Sequence, residues 1–189
     1  MGTRNLICVV KDNEFKLTKY CQWDGYLSGQ GKDIINIIIR FNTEGHWGRF
    51  RKHVDGLVYI SDKEVNNRWK EFDTDNFILD ACMQFCDKYP NLHRDTGADI
   101  LNLILFNKNL EVTKPNPEFA YRVGGLSCEY CYVLDLDDDV LEIYSYYKGN
   151  KKGRFRIEDN GIKLFSTIPF KEINQNTIFY LEKAHKKAQ

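Results

Sequence analysis

Residues 22–31, Gln22-Trp23-Asp24-Gly25-Tyr26-Leu27-Ser28-Gly29-Gln30-Gly31, lie between a strand pattern and a helix pattern and decide how these two elements meet. The segment combines glycines with aromatic, carboxylate and carboxamide side chains. Glycine permits positive φ and a close approach of the backbone to a ligand, and the start of the following helix offers free N–H groups. We therefore expect a binding site at this turn.

The elements on either side of this turn predict a hairpin that is packed by a core helix. Residues 6–10 and 14–21 are rich in β-branched and aromatic residues and are joined at Lys11-Asp12-Asn13, which favours a tight turn. Residues 34–41 consist mostly of isoleucine and are too apolar for a surface helix. We expect this helix to pack across the hairpin.

Further helices are predicted in the middle of the chain. The capping-box pattern Ser61-Asp62-Lys63-Glu64 opens a short helix through Trp69. After Asp73, apolar residues recur at helical spacing until Pro90 ends the pattern. These apolar positions are Phe77, Ile78, Ala81, Cys82, Phe85, Cys86 and Tyr89. Another helix, 100–106, follows Thr96-Gly97-Ala98-Asp99, which has a cap-like spacing.

Strand patterns return in the C-terminal third of the chain. Residues 130–136 and 140–147 flank a turn, shorter strands are predicted near 154–157 and 162–165, and residues 174–187 predict a closing helix. Strands at both ends and helices between them indicate an α+β fold, with a mostly antiparallel sheet built from N- and C-terminal strands and packed by central helices. We expect one compact domain over residues 1–189.

Composition and charge narrow the functional classes. Lys plus Arg and Asp plus Glu both total 27, so the net charge is zero and gives no overall field that would attract nucleic acid. No apolar run approaches the roughly 18 residues of a membrane span, and the N-terminus lacks the layout of a secretory signal. We expect a cytoplasmic protein without a membrane or nucleic-acid partner. Most of the 6 cysteines fall inside apolar patterns, as reduced core thiols do, so disulfides are not expected.

Some motifs imitate binding sites without completing them. Cys128 and Cys131 have the spacing of a zinc knuckle, but strand alternation would point their thiols to opposite faces. Asp135, Asp137 and Asp139 imitate a calcium loop in which the positions that need Gly and Glu hold other residues, so a hairpin turn is the better interpretation. The sequence predicts neither a metal nor a cofactor.

A basic cluster near the C-terminus can be interpreted either as a binding site or as a structural feature. Its members are Lys148, Lys151, Lys152, Arg154 and Arg156. They could hold phosphates, but acidic residues follow at once and the chain has no phosphate-loop motif. A solvated strand edge is favoured, because edge lysines also oppose aggregation.

The candidates for ligand binding are polar and aromatic residues at the ends of elements, where function is more common than in element interiors. They are Arg4, Gln22, Trp23, Asp24, Tyr26, Gln30, Arg94, Asp95 and Glu129. In the functional interpretation the aromatics stack a planar ligand, the arginines hold its anionic groups, and Asp24 and Gln22 read donors on its rim. In the structural one the aromatics pack in the core, Asp24 bonds its own turn, and Arg94 and Asp95 form an ion pair or a helix cap. No catalytic residue is identified.

These motifs also carry a resemblance. Four pieces of the chain together resemble a family of uncharacterised proteins from bacteria, their phages and some fungi. They are residues 2–6 (GTRNL), the QWDGY and SGQG pieces of residues 22–31, residues 94–98 (RDTGA) and the residues from Cys128-Glu129-Tyr130 into 141–144. Leu27 departs from the proline that is common after Tyr26 in that family, and residues 145–189 carry no matching pattern. The resemblance implies a real site at these motifs and supplies no activity for it.

The leading hypothesis is a protein that binds a small, anionic, nucleotide-like molecule. If the chain is phage-encoded, it would act in the host cytoplasm against bacterial defence, for example by sequestering a nucleotide immune signal, which is an analogy of residue types. The first alternative is a hydrolase of such a signal, or an amidohydrolase in which Thr3 is an N-terminal nucleophile. Gly2 precedes that threonine, however, and the histidines lack metal-site spacing.

The second alternative is a protein-binding inhibitor of a host defence protein, with a tyrosine-rich hairpin as its contact surface. The tyrosines concerned are Tyr130, Tyr132, Tyr144, Tyr146 and Tyr147. Alternating tyrosines also cover one face of any antiparallel sheet, so this pattern has a purely structural interpretation as well.

Overall fold

The computed structural model describes residues 2–72, 78–120, 128–147, 149, 153–155 and 162–187. In chain order its strands and helices are β1 (Asn5–Lys11), β2 (Glu14–Cys21), α1 (Lys32–Glu44), α2 (Trp47–Asp55), β3 (Val58–Ile60), α3 (Asp62–Trp69), α4 (Ile78–Lys88), α5 (Asp99–Phe106), β4 (Glu111–Thr113), β5 (Tyr130–Asp135), β6 (Val140–Ser145), β7 (Lys163–Pro169) and α6 (Thr177–Lys187).

The described strands form a five-stranded sheet in the order β2-β1-β5-β6-β7 and a separate two-stranded sheet of β3 and β4. Within the larger sheet β1 pairs with β5 in parallel, and the other neighbours are antiparallel. This is the α+β arrangement predicted from the sequence, with N- and C-terminal strands in one mostly antiparallel sheet. No helix in the described parts of the chain has the length and apolar character that crossing a membrane requires.

The two predicted hairpins are held to each other at their turns. Asp12 and Asn13 adopt positive φ values of 56° and 58°, which these residue types tolerate better than most. Both backbone N–H groups donate to the Asp137 carboxylate at 2.8 Å. Asp135 in turn accepts from the N–H groups of Asp137 and Asp138. The aspartate run is thus a hairpin turn, as predicted, and backbone groups use its carboxylates.

The sheet has an apolar cluster on each face. On one face Ile7, Val9 and Leu134 pack with α1 and α5, most of whose isoleucines and leucines are almost completely buried. On the other face Leu6, Cys8 and other side chains of the opposite alternation form a smaller cluster. A third cluster, around Phe72 and Phe85, holds α3 and α4 together.

Most predicted helices are present with shifted ends. Helix α3 has the complete capping box, with the Ser61 hydroxyl accepting from the Glu64 N–H. Helix α5 lacks a side-chain cap of its own; instead the Gln30 side chain accepts from the Ala98 N–H at 2.6 Å. Helix α6 begins at Thr177 rather than at Asn174. The predicted start of the helix after Asp73 lies outside the described residues, and α4 is described from Ile78.

Candidate functional site

The segments that carry the candidate residues meet at one end of the large sheet, where β1 begins. The Gly25 N–H donates to the Thr3 carbonyl at 2.9 Å, and the Glu129 N–H donates to the Arg4 carbonyl at 2.9 Å. The Asn5 side chain donates to the Trp23 carbonyl at 3.2 Å. Backbone contacts therefore bring residues 2–5, 22–26 and 128–130 together, although they lie far apart in the sequence.

Asp95 adds a further segment to this end of the sheet. Strand β2 is an edge strand, and the turn Arg94–Thr96 lies against it. The Gln22 N–H, just past the end of β2, donates to Asp95 Oδ1 at 3.1 Å. The Arg94 side chain reaches the other Asp95 oxygen at 3.3 Å, so these two residues form the ion pair of the structural interpretation. Because the Arg94 side chain remains 61% exposed, this pair does not withdraw its guanidinium from solvent.

The guanidinium groups of Arg4 and Arg94 act on the same phenol. Burial raises the pKa of Tyr20, and the positive charges of Arg4 and Arg94 both work against that rise. The Tyr20 hydroxyl donates to Gln22 Oε1 at 2.9 Å. The charges of two arginines that are ninety residues apart in sequence therefore both reach the Tyr20 phenol.

Trp23 and Tyr26 are not core residues. Their exposed fractions are 50% and 47%, which rules out the core-packing interpretation for both side chains. One part of the Trp23 ring is covered by the N-terminal segment, since a Cβ atom on Gly2 would lie 2.1 Å from the ring. An indole that is partly held and half exposed is suited to stacking on a planar group.

Glu129 lies among phenols. The Tyr147 hydroxyl donates to the Glu129 carboxylate at 2.6 Å, and this hydrogen bond is the largest cause that raises the pKa of Tyr147 to about 12. The Tyr130 hydroxyl lies 3.2 Å from His185 Nε2, and the Tyr26 phenol adds to the rise of the Tyr130 pKa that burial causes. Tyr26 and Glu129 therefore share a phenolic patch next to Tyr130.

The glycines of residues 22–31 serve the fold rather than a ligand, which corrects the expectation for this turn. Asp24, not a glycine, has the positive φ, 54°. A Cβ on Gly25 would lie 2.8 Å from the Thr3 carbonyl, and one on Gly29 would lie 2.3 Å from the Asp24 carbonyl. The N–H groups ahead of α1 are also used, because those of residues 29–32 all donate to carbonyls of residues 24–29. These glycines therefore allow a close approach between two segments of the backbone, and not between the backbone and a ligand.

Gln30 belongs to this structural group. Its Oε1 accepts the Ala98 N–H, and its side chain fills the space beside Gly97, whose φ is +57°. Gln30 also borders a shallow groove of about 330 Å³ with Asp33 and Asn102. A role in binding at the start of β1 is therefore not what its contacts indicate.

A larger cavity of about 550 Å³ lies beside the β5–β6 turn, at the other end of the sheet. Trp47 and Phe170 line it, but they stack on each other with ring centroids 4.3 Å apart. Arg51, which also lines it, donates to the Leu136 carbonyl and pairs with Asp139. The aromatic and cationic groups of this cavity are therefore engaged with each other or with the β5–β6 turn.

Cys128 and Cys131 are not separated in the way that strand alternation predicts. Cys128 precedes β5, so alternation does not apply to it, and both thiols lie in the same apolar cluster as Cys8. The sulfurs of Cys8 and Cys131 are 3.8 Å apart. Burial raises the pKa of both Cys128 and Cys131, which favours protonated thiols in an apolar core.

One described member of the basic cluster and three of the hairpin tyrosines have structural contacts. Arg154 pairs with Asp135 and Glu142, the latter at 3.0 Å, while the other members of the basic cluster lie outside the described residues. Of the hairpin tyrosines, Tyr130, Tyr132 and Tyr144 are at most 5% exposed. The two core clusters enclose these three, whereas Tyr146 and Tyr147 are 44% and 60% exposed, so a contact surface at this hairpin would consist of those two tyrosines alone.

Sequence reasoning missed a group of titratable residues behind Asp95. Lys19 is only 8% exposed and donates to the Asn91 carbonyl at 2.9 Å. Burial lowers its pKa to about 8, against the opposing effects of Cys21 and Asp95. The side chains of Cys82, Cys86 and His93 gather close by, with their ligand atoms within 4.8 Å of one another. The spacing of Cys82 and Cys86, one helical turn apart, was visible in the sequence and was assigned only to core packing.

Compared with family models, with curated proteins and with solved structures, the chain has no match. The family resemblance therefore stays a prediction, and functional conclusions depend on the site itself.

Proposed function

We propose that the protein binds a small, anionic, nucleotide-like molecule at the start of β1. The binding surface, here named the rim site, consists of Arg4, Tyr20, Gln22, Trp23 and Arg94. The observation that carries the proposal is that hydrogen bonds gather the segments of Arg4, of Arg94 and of the half-exposed Trp23 at the start of β1, although these segments are distant in sequence.

The chemistry of the rim site suits a ligand with a planar ring and an anionic group. Guanidinium groups bind phosphate with charge-assisted hydrogen bonds, and Arg94 is exposed enough to make them. The exposed part of the Trp23 ring can stack on a base, which is worth about 1–3 kcal/mol. Gln22 and Asp24 offer carboxamide and carboxylate groups next to the indole.

The phenolic patch of Tyr26 and Glu129 lies on the same end of the sheet. We assign it a secondary role, since the Glu129 carboxylate already accepts from Tyr147. In this proposal the biological role is sequestration of a nucleotide signal, and binding without turnover is the simplest activity that the rim site supports.

The test uses wild-type protein with a panel of soluble probes: cyclic mono- and dinucleotides, ADP, adenosine and inorganic phosphate. We expect at least one nucleotide to raise the Tm, and Arg94→Gln to weaken its binding by about 10- to 100-fold, since a hydrogen bond to a charged group contributes about 1.5–3 kcal/mol. Trp23→Ala should weaken the nucleotide and adenosine but not phosphate. Arg49→Gln is the matched control, because Arg49 is an exposed arginine on α2, at the other end of the sheet.

Two results would refute this function. In one, no probe shifts the Tm of wild-type protein and no small molecule is released by heating freshly purified material. In the other, Arg94→Gln and Arg49→Gln bind the nucleotide equally well, which would remove the rim site from the explanation.

A further inference from the structure

Three soft or borderline metal ligands converge where the chain folds back after α4. Cys82 and Cys86 lie one turn apart on α4, and both are partly buried. Cys82 Sγ is 3.7 Å from His93 Nε2, and the ligand atoms of all three residues lie within 4.8 Å of one another. This group shares no residue with the rim site, and its chemistry is independent of the proposed nucleotide.

The backbone holds this arrangement in place. The Leu92 and His93 N–H groups both donate to the Tyr89 carbonyl, which turns the chain back towards α4 after Pro90. The Thr96 hydroxyl donates to the His93 carbonyl at 2.7 Å. Phe85 and Leu92 are buried together in the third apolar cluster. The histidine is therefore presented to the helix by a folded turn rather than by a loose segment.

The distances fit a tetrahedral metal after a small closure. Zinc binds thiolate sulfur at about 2.3 Å and imidazole nitrogen at about 2.0–2.1 Å, so tetrahedral ligand atoms lie roughly 3.5–3.8 Å apart. The Cys82–His93 separation of 3.7 Å is already in that range. The longest separation, at most 4.8 Å, has to shorten by about 1 Å on binding.

We propose that Cys82, Cys86 and His93 bind a zinc ion, with the fourth position taken by water. Two thiolates and one imidazole select zinc over magnesium or calcium, which prefer oxygen ligands. Because the three residues are only partly buried, water has access to the remaining position. Zinc displaces the two thiol protons on binding.

Asp95 is a positioning residue for this site. Its backbone N–H donates to His93 Nδ1 at 3.3 Å, an arrangement that leaves the neutral ring protonated on Nε2. Zinc on Nε2 requires the proton on Nδ1, which then needs an acceptor. The Asp95 carboxylate lies on the same turn, where its oxygens already accept from the Gln22 N–H and from Arg94, and in our proposal it also accepts the Nδ1 proton.

The experiment measures metal on chelator-treated full-length protein. After reloading with Zn²⁺ and removal of excess metal, we expect one zinc per chain in the wild type and a higher Tm than in the metal-free form. Co²⁺ in place of Zn²⁺ should give thiolate-to-cobalt charge-transfer absorption and the visible bands of tetrahedral coordination. Cys82→Ser, Cys86→Ser and His93→Gln should each lose stoichiometric zinc.

The matched control is Cys8→Ala, which removes a thiol of the buried Cys8–Cys131 pair and should keep one zinc. Circular dichroism of metal-free protein tests whether each variant folds. If the cysteine variants do not fold, the loss of the Co²⁺ spectrum in His93→Gln tests the site instead. Wild-type protein that retains no zinc after reloading would overturn the proposal. So would zinc loss in Cys8→Ala with retention in Cys82→Ser and Cys86→Ser, since the buried thiols would then be the ligands.

Discussion

Lys19 provides a sharp test of the electrostatics of this structure. Its side chain is 8% exposed on the edge strand β2, and its ammonium donates to the Asn91 carbonyl at 2.9 Å. Burial is the main cause that lowers its pKa from 10.5 to about 8. Replacement by methionine keeps much of the side-chain volume and removes the charge, so Lys19→Met isolates the cost of burying the ammonium.

The sign follows from proton binding in the two states. Below about pH 8 the lysine is protonated both folded and unfolded, so wild type carries the full cost of the buried charge. Between about 8 and 10.5 the folded state releases the proton and the unfolded state retains it, so wild-type stability rises with pH. A shift from 10.5 to about 8 corresponds to about 3 kcal/mol in the free energy of unfolding.

The assay is urea unfolding of wild type and Lys19→Met, followed by circular dichroism at several pH values from about 7 to about 10.5. We expect the free energy of unfolding of wild type to gain about 3 kcal/mol relative to Lys19→Met over that range. Thiols such as Cys21, whose pKa burial raises, give the opposite slope in both proteins. Because Lys19 lowers the Cys21 pKa, Lys19→Met raises it further, and the comparison is repeated in a Cys21→Ala background to remove this contribution.

Lys16→Met, on the same strand, is the control with the opposite sign. The hydrogen bond to Glu14 raises the pKa of Lys16 above 10.5, so wild type should lose stability relative to Lys16→Met only above about pH 10.5, and the assay is extended to about pH 11.5 for this pair. A difference between wild type and Lys19→Met that stays constant from about pH 7 to 10.5 would refute the reasoning, because Lys19 would then titrate alike in both states.

Two further changes test how the turns are built. Ser61→Ala should lower the free energy of unfolding of α3 by about 1 kcal/mol, because α3 has no buried residue to compensate for the lost capping box. The loss is measured as faster hydrogen exchange at Glu64, and Ser61→Asp should retain protection. Exchange in the alanine variant that equals that of the wild type would contradict the role of the cap. Gly97→Ala should cost about 1–3 kcal/mol in urea unfolding, since φ is +57° and the new Cβ would lie 2.4 Å from Gln30 Oε1. Gly48→Ala, with nothing within 4 Å of its Cβ, should cost far less, and equal stability of these two glycine variants would count against the strain.

The first hairpin of the sheet and helix α1 could be predicted from the sequence because the patterns that indicate them are local. Asp12 and Asn13 mark a turn whatever surrounds them, and the isoleucines after Lys32 have one way to be buried. Helix α2 was missed because only Phe50 and Val54 of its residues are buried, which leaves too little apolar periodicity. Strands β3 and β4 have three residues each and pair across fifty residues, so neither carries a pattern that sequence reasoning can detect.

The candidate site was predicted as a set of residues without its geometry. Hydrogen bonds do gather the segments of Arg4, Trp23 and Asp95 at the start of β1, so several of the element ends named from the sequence are neighbours in the fold. The sequence alone could not distinguish a glycine that lies against a ligand from a glycine that packs against another part of the chain. Gly25 lies against Thr3 only because β1 and β2 pair in this register, which is a property of the sheet.

Cys82 and Cys86 show why one spacing can carry two interpretations. A separation of four residues places two side chains on the same helix face, which is what a core helix and a metal site both require. On α4 the core positions are Ala81 and Phe85, so the cysteines are displaced by one residue towards the edge of the buried face. There they meet His93, which the turn after Pro90 returns to α4. If zinc binds as we propose, a cysteine pair offset from the most buried stripe of a helix and followed soon by a histidine is the sequence pattern that would have predicted the site.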